Sequence, residues 1–293
     1  MFKKSGRLPH MKLGVFDIFI TLFLVVLAVI IVYPFFHAVV VSFMSQKEYV
    51  HNKFALFPSN PTIEAYVQVF KKGWVQTGYL ATMAIVSQSV ILCLIVTTPC
   101  AYALAKRKFP GKMLVLNIIL LTMFFTGGVV PYYIVIKNLG LMNSWYSLIL
   151  PAAFTPFYML LMRNFFMGIP DGIEESAKLD GAGDFRLLFE IIMPLSKPVI
   201  ASVALFKAVD MWNEWYYPML FITDRARYPL QLALRSMLGM ATSTTNHADV
   251  SQSTYIVSVQ MAAIIVSILP VMLLYPFIQK YFVRGIMVGA VKE

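Results

Sequence analysis

The chain has 293 residues, of which 59% are hydrophobic and 13% charged, with a mean hydropathy of +0.73. Soluble domains hold about 45–50% apolar and about 25% charged residues, and disorder needs low hydrophobicity, so both classes are excluded. The net charge of +10 would suggest nucleic acid beside a soluble protein. In a lipid-covered chain, the accumulation of Lys and Arg on the cytoplasmic side accounts for it, and no nucleic-acid partner is expected. The composition is that of an all-α, multi-pass membrane protein whose first partner is membrane lipid.

A spanning helix takes about 20 mostly apolar residues, and six stretches meet that requirement: 16–43, 79–104, 114–135, 145–167, 199–222 and 256–282. The first is too long for a cleaved signal peptide, and no small-x-small site follows it. Lys3, Lys4, Arg7 and Lys12 precede the first span, and Lys106, Arg107, Lys108 and Lys112 follow the second, whereas the loop after the third holds only Lys137. This asymmetry predicts a cytoplasmic tail at 1–15, a membrane domain at 16–282 and a cytoplasmic tail at 283–293. Loops 44–78 and 223–255 then face outward, with 241–254, rich in Ser, Thr and Asn, as a mobile outer segment. Loop 168–198 is cytoplasmic.

Asp17 is expected to cap the cytoplasmic edge of the first span, and His37 to be a packed or interfacial histidine. His10, His51 and His247 are scattered and form no metal or triad pattern. Cys93 and Cys100 are too far apart along one helix for a disulfide, at about 10 Å of rise, and read as small core residues.

Polar groups inside spans are costly and so carry functional hypotheses. The third span holds Thr126, Gly127, Gly128 and Pro131, and the fourth Thr155 and Pro156; such residues permit broken helices lining a cavity or close helix packing. The fifth holds Lys207, Asp210, Trp212, Asn213, Glu214, Trp215, Tyr216 and Tyr217. Asn and Glu suit sugar hydroxyls, and aromatic rings suit sugar C–H faces, so this group is a candidate solute path. A pinned helix pair with an outer aromatic belt is the alternative. Lys207 and Asp210 are spaced i,i+3 to neutralise each other.

Loop 168–198 differs from the rest. Asp171, Glu174, Glu175, Asp180, Asp184 and Glu190 stand against Lys178, Arg186 and Lys197. It therefore carries −3 while the remainder of the +10 chain carries +13. Asp171 is expected to cap a helix with Glu174 completing a capping box, Glu174 and Lys178 are spaced i,i+4, and Gly181 suits a left-handed helix end. Asp184 is expected to cap a second helix that stops before Pro194. An ordinary amphipathic connector at the membrane surface has the same local pattern.

The stretch Glu174-Glu175-Ser176-Ala177-Lys178-Leu179-Asp180-Gly181-Ala182, followed by Ile191-Ile192-Met193-Pro194, resembles the EAA loop of ABC importer permeases. Glu175, Ala177, Gly181, Ile191 and Pro194 match in register, while Ser176 replaces an Ala and Met193 a Leu. The resemblance implies a six-span type I importer permease in a bacterial inner membrane. In that family the loop forms a coupling helix that docks on a separate ATPase. It further implies ATPase contact by Glu174, Glu175, Ala177, Asp180, Gly181, Ala182 and Pro194. Asp171–Pro198, Trp212-Asn213-Glu214-Trp215 with Pro218, and the ending Gly289-Ala290-Val291-Lys292-Glu293 resemble the carbohydrate-uptake branch, in which the tail at 287–293 is expected to reach the ATPase. Gly127-Gly128-Val129-Val130-Pro131-Tyr132-Tyr133 resembles a subgroup importing oligosaccharides released from polysaccharides, some of them uronate polymers such as alginate.

The chain contains no Walker A motif: Gly111-Lys112 is followed by Met113, and Lys106 stands where the first Gly belongs. No enzymatic activity and no bound cofactor are therefore expected of this chain. ATP and Mg belong to the partner ATPase. The implied partners are a second homologous permease in a heterodimer, two ATP-binding subunits and an extracytoplasmic solute-binding protein. A secondary transporter, with Asp210 and Glu214 as coupling carboxylates, and a membrane-bound sugar transferase remain as alternatives.

Overall fold

The computed structural model describes residues 14–71, 73–106, 109–244 and 257–273. Among them every regular element is helical. The expectations placed on both terminal tails, on 245–254 and on 274–282 lie outside the described residues. Two compact units are distinguished, 14–66 with 257–265, and 67–244 with 266–273.

In the first unit, α1 (Val15–Ser42) is apolar on every side, as a helix surrounded by lipid must be. Its most apolar stretch has no buried residue, and burial begins only near its C-terminal end, at Val40 and Val41. Asp17 accepts the Gly14 N–H at 3.0 Å, which is the expected cap. The predicted outer loop contains α2 (Gln46–His51), whose first turn is capped by Ser45. His37 bonds the Lys53 carbonyl at 2.9 Å, so it is a structural histidine. Val40, Val41 and Met44 form a small core with Tyr49, Val257 and Met261. The boundary between the units in the chain falls within α3 (Glu64–Lys71).

The second unit is organised around α4 (Trp74–Ala105), whose 32 residues span about 48 Å and so project beyond a hydrocarbon layer of about 30 Å. Small residues at intervals of four or seven, Gly78, Thr82, Ser89, Cys93, Thr97 and Ala101, are interspersed along its buried side and let other helices approach closely. Cys93 and Cys100 are both free.

The third predicted span is not one helix. It consists of α5 (Lys112–Phe124) and α6 (Val129–Asn138), which meet at 112°. Gly128, at φ +80° and ψ 176°, takes a conformation open essentially to glycine alone. The fourth span is α7 (Tyr146–Ile149), a single 3-10 turn and α8 (Pro156–Phe166), together long and apolar enough to cross a membrane.

Loop 168–198 holds α9 (Asp171–Leu179) and α10 (Asp184–Arg186), then a π-helical stretch at Leu187–Ile192 that runs into α11 (Met193–Leu195). The second helix therefore continues through Pro194 instead of stopping before it. The wider π turn places Pro194 in the first turn of α11, where its missing N–H is not needed. The fifth span begins as α12 (Lys197–Asn213), breaks at Glu214 and Trp215, and resumes as α13 (Tyr216–Phe221).

The predicted outer loop 223–255 contains α14 (Leu230–Thr244). Its first N–H, at Leu230, donates to the Thr82 hydroxyl at 2.8 Å, and a Cβ on Gly78 would sit 3.1 Å from the Leu230 Cα. The sixth span is described as α15 (Val257–Leu273). Counting each bent pair once, up to five membrane-length spans are described besides α15.

Candidate functional site

The acidic loop folds as two helices with distinct inner and outer sides. Ala177, Leu187, Leu188 and Ile192 are buried with Tyr102, Leu104, Phe166 and Val199. Exposed on the other side are Glu175, Leu179 at 89%, Phe185 at 80% and Phe189. Exposed apolar side chains of this size beside a carboxylate mark a contact surface.

The corner between the helices is a Schellman turn. Gly181, at φ +79°, donates its N–H to the Lys178 carbonyl at 3.0 Å, and Ala182 donates to Ala177 at 2.9 Å. Ala182 also packs on the Ala177 cluster. The expected caps differ. Pro170, at φ −58°, holds the cap position, so Asp171 is the first helical residue, and its charge favours the helix N-terminus. Gly183 likewise caps the second helix, which frees the Asp184 carboxylate for a different partner.

That partner is Lys106, the residue directly after α4. Its ammonium bonds Asp184 and lies 3.5 Å from Glu174, which also pairs with Lys178 at 2.7 Å. Lys106 lies 4.7 Å from the centre of the Tyr102 ring. Burial draws its pKa down, but the bonds to Asp184 and Tyr102 and the nearby Glu174 outweigh burial and hold it above the ordinary value. The hydrogen bond and charge of Lys106 hold Asp184 below the carboxylate range. A cavity of about 140 Å³ is lined by Lys106, Lys112, Phe166, Pro170 and Glu174.

Of the residues assigned to ATPase contact, Glu175, Asp180, Gly181 and Pro194 are exposed. Glu174 and Ala177 face the bundle through Lys106 and the buried cluster, and Ala182 is half-buried. Glu175 makes no ion pair or hydrogen bond among the described residues, unlike Glu174.

The fifth-span residues separate into two groups. Trp212 is buried, with its ring centre 5.9 Å from that of Tyr79 in a tilted pair, so it is a packing residue. Lys207 is buried as well, and it forms no ion pair with Asp210. Asp210 instead accepts the Tyr158 hydroxyl. Glu214 accepts the N–H groups of Tyr216 and Tyr217 at 2.8 and 3.1 Å and so caps α13. Trp215 lies under the Arg235 guanidinium at 3.6 Å. Asp210, Asn213 and Tyr216 remain exposed at this break.

Gly127, Gly128 and Pro131 lie at the α5–α6 break, also exposed. One turn on, Tyr132 packs against Tyr217 at 5.1 Å, so the two broken helices adjoin. Among the described residues no His, Cys, Asp and Glu cluster is arranged to hold a metal ion.

Sequence reasoning missed Lys106, Leu179 and Phe185 as site residues. The signal for the last two was bulky apolar side chains in an acidic loop. Lys106 gave none, since Asp184 lies 78 positions along the chain.

Comparison with known proteins agrees with this architecture. A family model described as binding-protein-dependent transport system inner membrane component matches residues 98–288. Protein LplC of Bacillus subtilis is 37% identical, over 99% of this chain and 96% of its own length. The polygalacturonan/rhamnogalacturonan transport system permease protein YtcP of the same organism is 36% identical, over 96% of this chain and all of its own. A crystal structure of a bacterial ABC transporter involved in the import of the acidic polysaccharide alginate superposes with a TM-score of 0.84 at 28% identity, covering 94% of this chain and all of that one. With its type I permease fold, this chain belongs to the family of inner-membrane components of binding-protein-dependent transport systems.

Proposed function

We propose that this chain is one of two membrane-spanning subunits of an ATP-driven importer of acidic, uronate-containing oligosaccharides such as those of alginate, and that loop 168–198 couples it to a separate ATPase. The observation that carries the coupling reading is the two-sided loop: Ala177 and Leu187 are buried on the bundle, while Glu175, Leu179 and Phe185 are presented outward. A groove with basic and apolar lining is the matching surface.

ATP and Mg act in the two partner subunits. Closure of the ATPases displaces the loop, and the bundle passes from inward-open to outward-open. The abundance of Lys and Arg after the second span supports cytoplasmic termini. The exposed polar break at Asp210, Asn213 and Tyr216 supports a second permease that covers it, and a solute-binding protein supplies the solute.

The uronate reading is supported by a relative named for polygalacturonan and a solved relative that imports alginate. The sugar specificity is tested by uptake of labelled uronate and neutral oligosaccharides into vesicles holding the assembled importer. Faster uptake of uronates is expected, and equal or faster uptake of the neutral series overturns it. Coupling is tested with Glu175→Ala. Reduced co-purification with the ATPase or reduced stimulated hydrolysis is expected, and wild-type values of both overturn it.

A further inference from the structure

We propose that Lys106 is a positioning residue that clamps both helices of the coupling loop to the end of α4, so that the loop and the central helix of the bundle move as one body. This rests on the reading that loop 168–198 docks on an ATPase. One ammonium reaches Glu174 on α9 at 3.5 Å and bonds Asp184 at the start of α10, so it spans the Gly181 corner. The Glu174–Lys178 pair extends the network along α9.

The root of the lysine is also held. Its carbonyl accepts from Lys112 Nζ at 3.2 Å, and the Leu104 carbonyl accepts from Arg163 Nε at 3.0 Å. These bonds engage carbonyls at the end of α4, which a helix leaves without internal partners.

The alternative is that apolar packing alone transmits the motion. Apolar contacts are non-directional, and a cavity of about 140 Å³ is lined by Lys106 and Lys112 at the helix end, Phe166, and Glu174 of the loop. The apolar contact is therefore incomplete where the loop meets the helix end. A charge that fixes direction supplies what sliding surfaces lack. The Asp184 side chain is 68% exposed, and such pairs contribute little to folding stability. Its loss therefore shows in transmission more than in folding.

The test uses the assembled importer and the ratio of ATP hydrolysis with loaded binding protein to hydrolysis without it. For Lys106→Met, a reduction in this ratio of about two- to thirtyfold is expected, the range found for residues that carry coupling, with the complex still assembled. Lys106→Arg is expected to keep most of the ratio, and Lys106→Met with Asp184→Asn to be no worse than Lys106→Met alone. If Lys106→Met fails to assemble, Asp184→Asn decides: a lowered ratio supports the clamp and a wild-type ratio overturns it. Wild-type ratios for Lys106→Met and Asp184→Asn, with a lowered ratio for Glu175→Ala, overturn the clamp alone. Wild-type values for all three overturn the docking reading as well.

Discussion

Gly181 gives the most direct reading of the proposed coupling corner. Its φ is +79°, and no atom lies within 4 Å of the place a Cβ would occupy. Substitutions there act through backbone conformation and not through clash. Alanine at positive φ costs about 1–2 kcal/mol, offset by about 0.4–1 kcal/mol from the less flexible unfolded chain. The net is about 1 kcal/mol, a roughly fivefold loss in the folded-loop population. Asparagine tolerates this region better than alanine, so it should cost less. Proline cannot reach positive φ and removes the N–H bonded to Lys178 at 3.0 Å, with a cost of at least about 3 kcal/mol. Stimulated ATP hydrolysis in the reconstituted importer, with protease sensitivity of the loop as a second reading, should rank Gly, Asn, Ala, Pro from highest to lowest. A ranking by side-chain volume, with Asn below Ala, refutes the conformational argument, and wild-type behaviour of Gly181→Pro refutes the corner itself.

Thr82→Val removes the acceptor of the buried Leu230 N–H; a loss of about 1 kcal/mol of stability in detergent is expected, and Thr82→Ser should restore it. Leu179→Asp and Phe185→Asp should each weaken co-purification with the ATPase while leaving the chain monodisperse, since both side chains are exposed. The Lys106–Asp184 pair should resist pH change through the neutral range. Asp184 is held below its ordinary value, so its contribution is present above about pH 4 and lost as pH falls through the lowered folded value. Lys106 is held above its ordinary value, so its contribution is present below about pH 10 and lost as pH rises through the raised one. Loop protection from hydrogen exchange, corrected for intrinsic exchange, should be level from about pH 5 to 9, and Asp184→Asn should remove the acid limb.

What the sequence revealed was what neighbouring residues decide. The acidic island, the Glu174–Lys178 pair and the left-handed Gly181 all follow from spacings of four residues or fewer, and all are present. Expectations failed where a competing local option or a distant partner intervened. Pro170 displaced Asp171 from the cap, and Gly183 displaced Asp184. Asp184 then met Lys106, a contact set by how α4 passes the loop and not by any local pattern. Asp210 was drawn to Tyr158 on α8 instead of to Lys207 three positions away. Apolarity placed the spans but not their continuity. Gly127 and Gly128 signalled a break, yet the 112° turn depends on the backbone that Gly128 alone permits.

The two breaks bear on how many chains form the pathway. Non-helical backbone at membrane depth is tolerated where protein or a water-filled cavity surrounds it, but not against lipid. The turn after Phe124 and the turn at Glu214 and Trp215 are both non-helical, and Tyr132 and Tyr217 hold their flanking helices together. Glu214 satisfies two of the N–H groups at the second break, and Asn213 returns its amide to the Val209 carbonyl. The Asp210 carboxylate and the Tyr216 side chain still face outward from this chain. In a bilayer that face is too polar for acyl chains, which fits the proposed second subunit or a solute path. The same face that would lose energy against lipid offers carboxylate, amide and aromatic groups to a hydroxylated solute. This is why the polar residues of the fifth span argue for a two-chain pathway more strongly than the number of spans does.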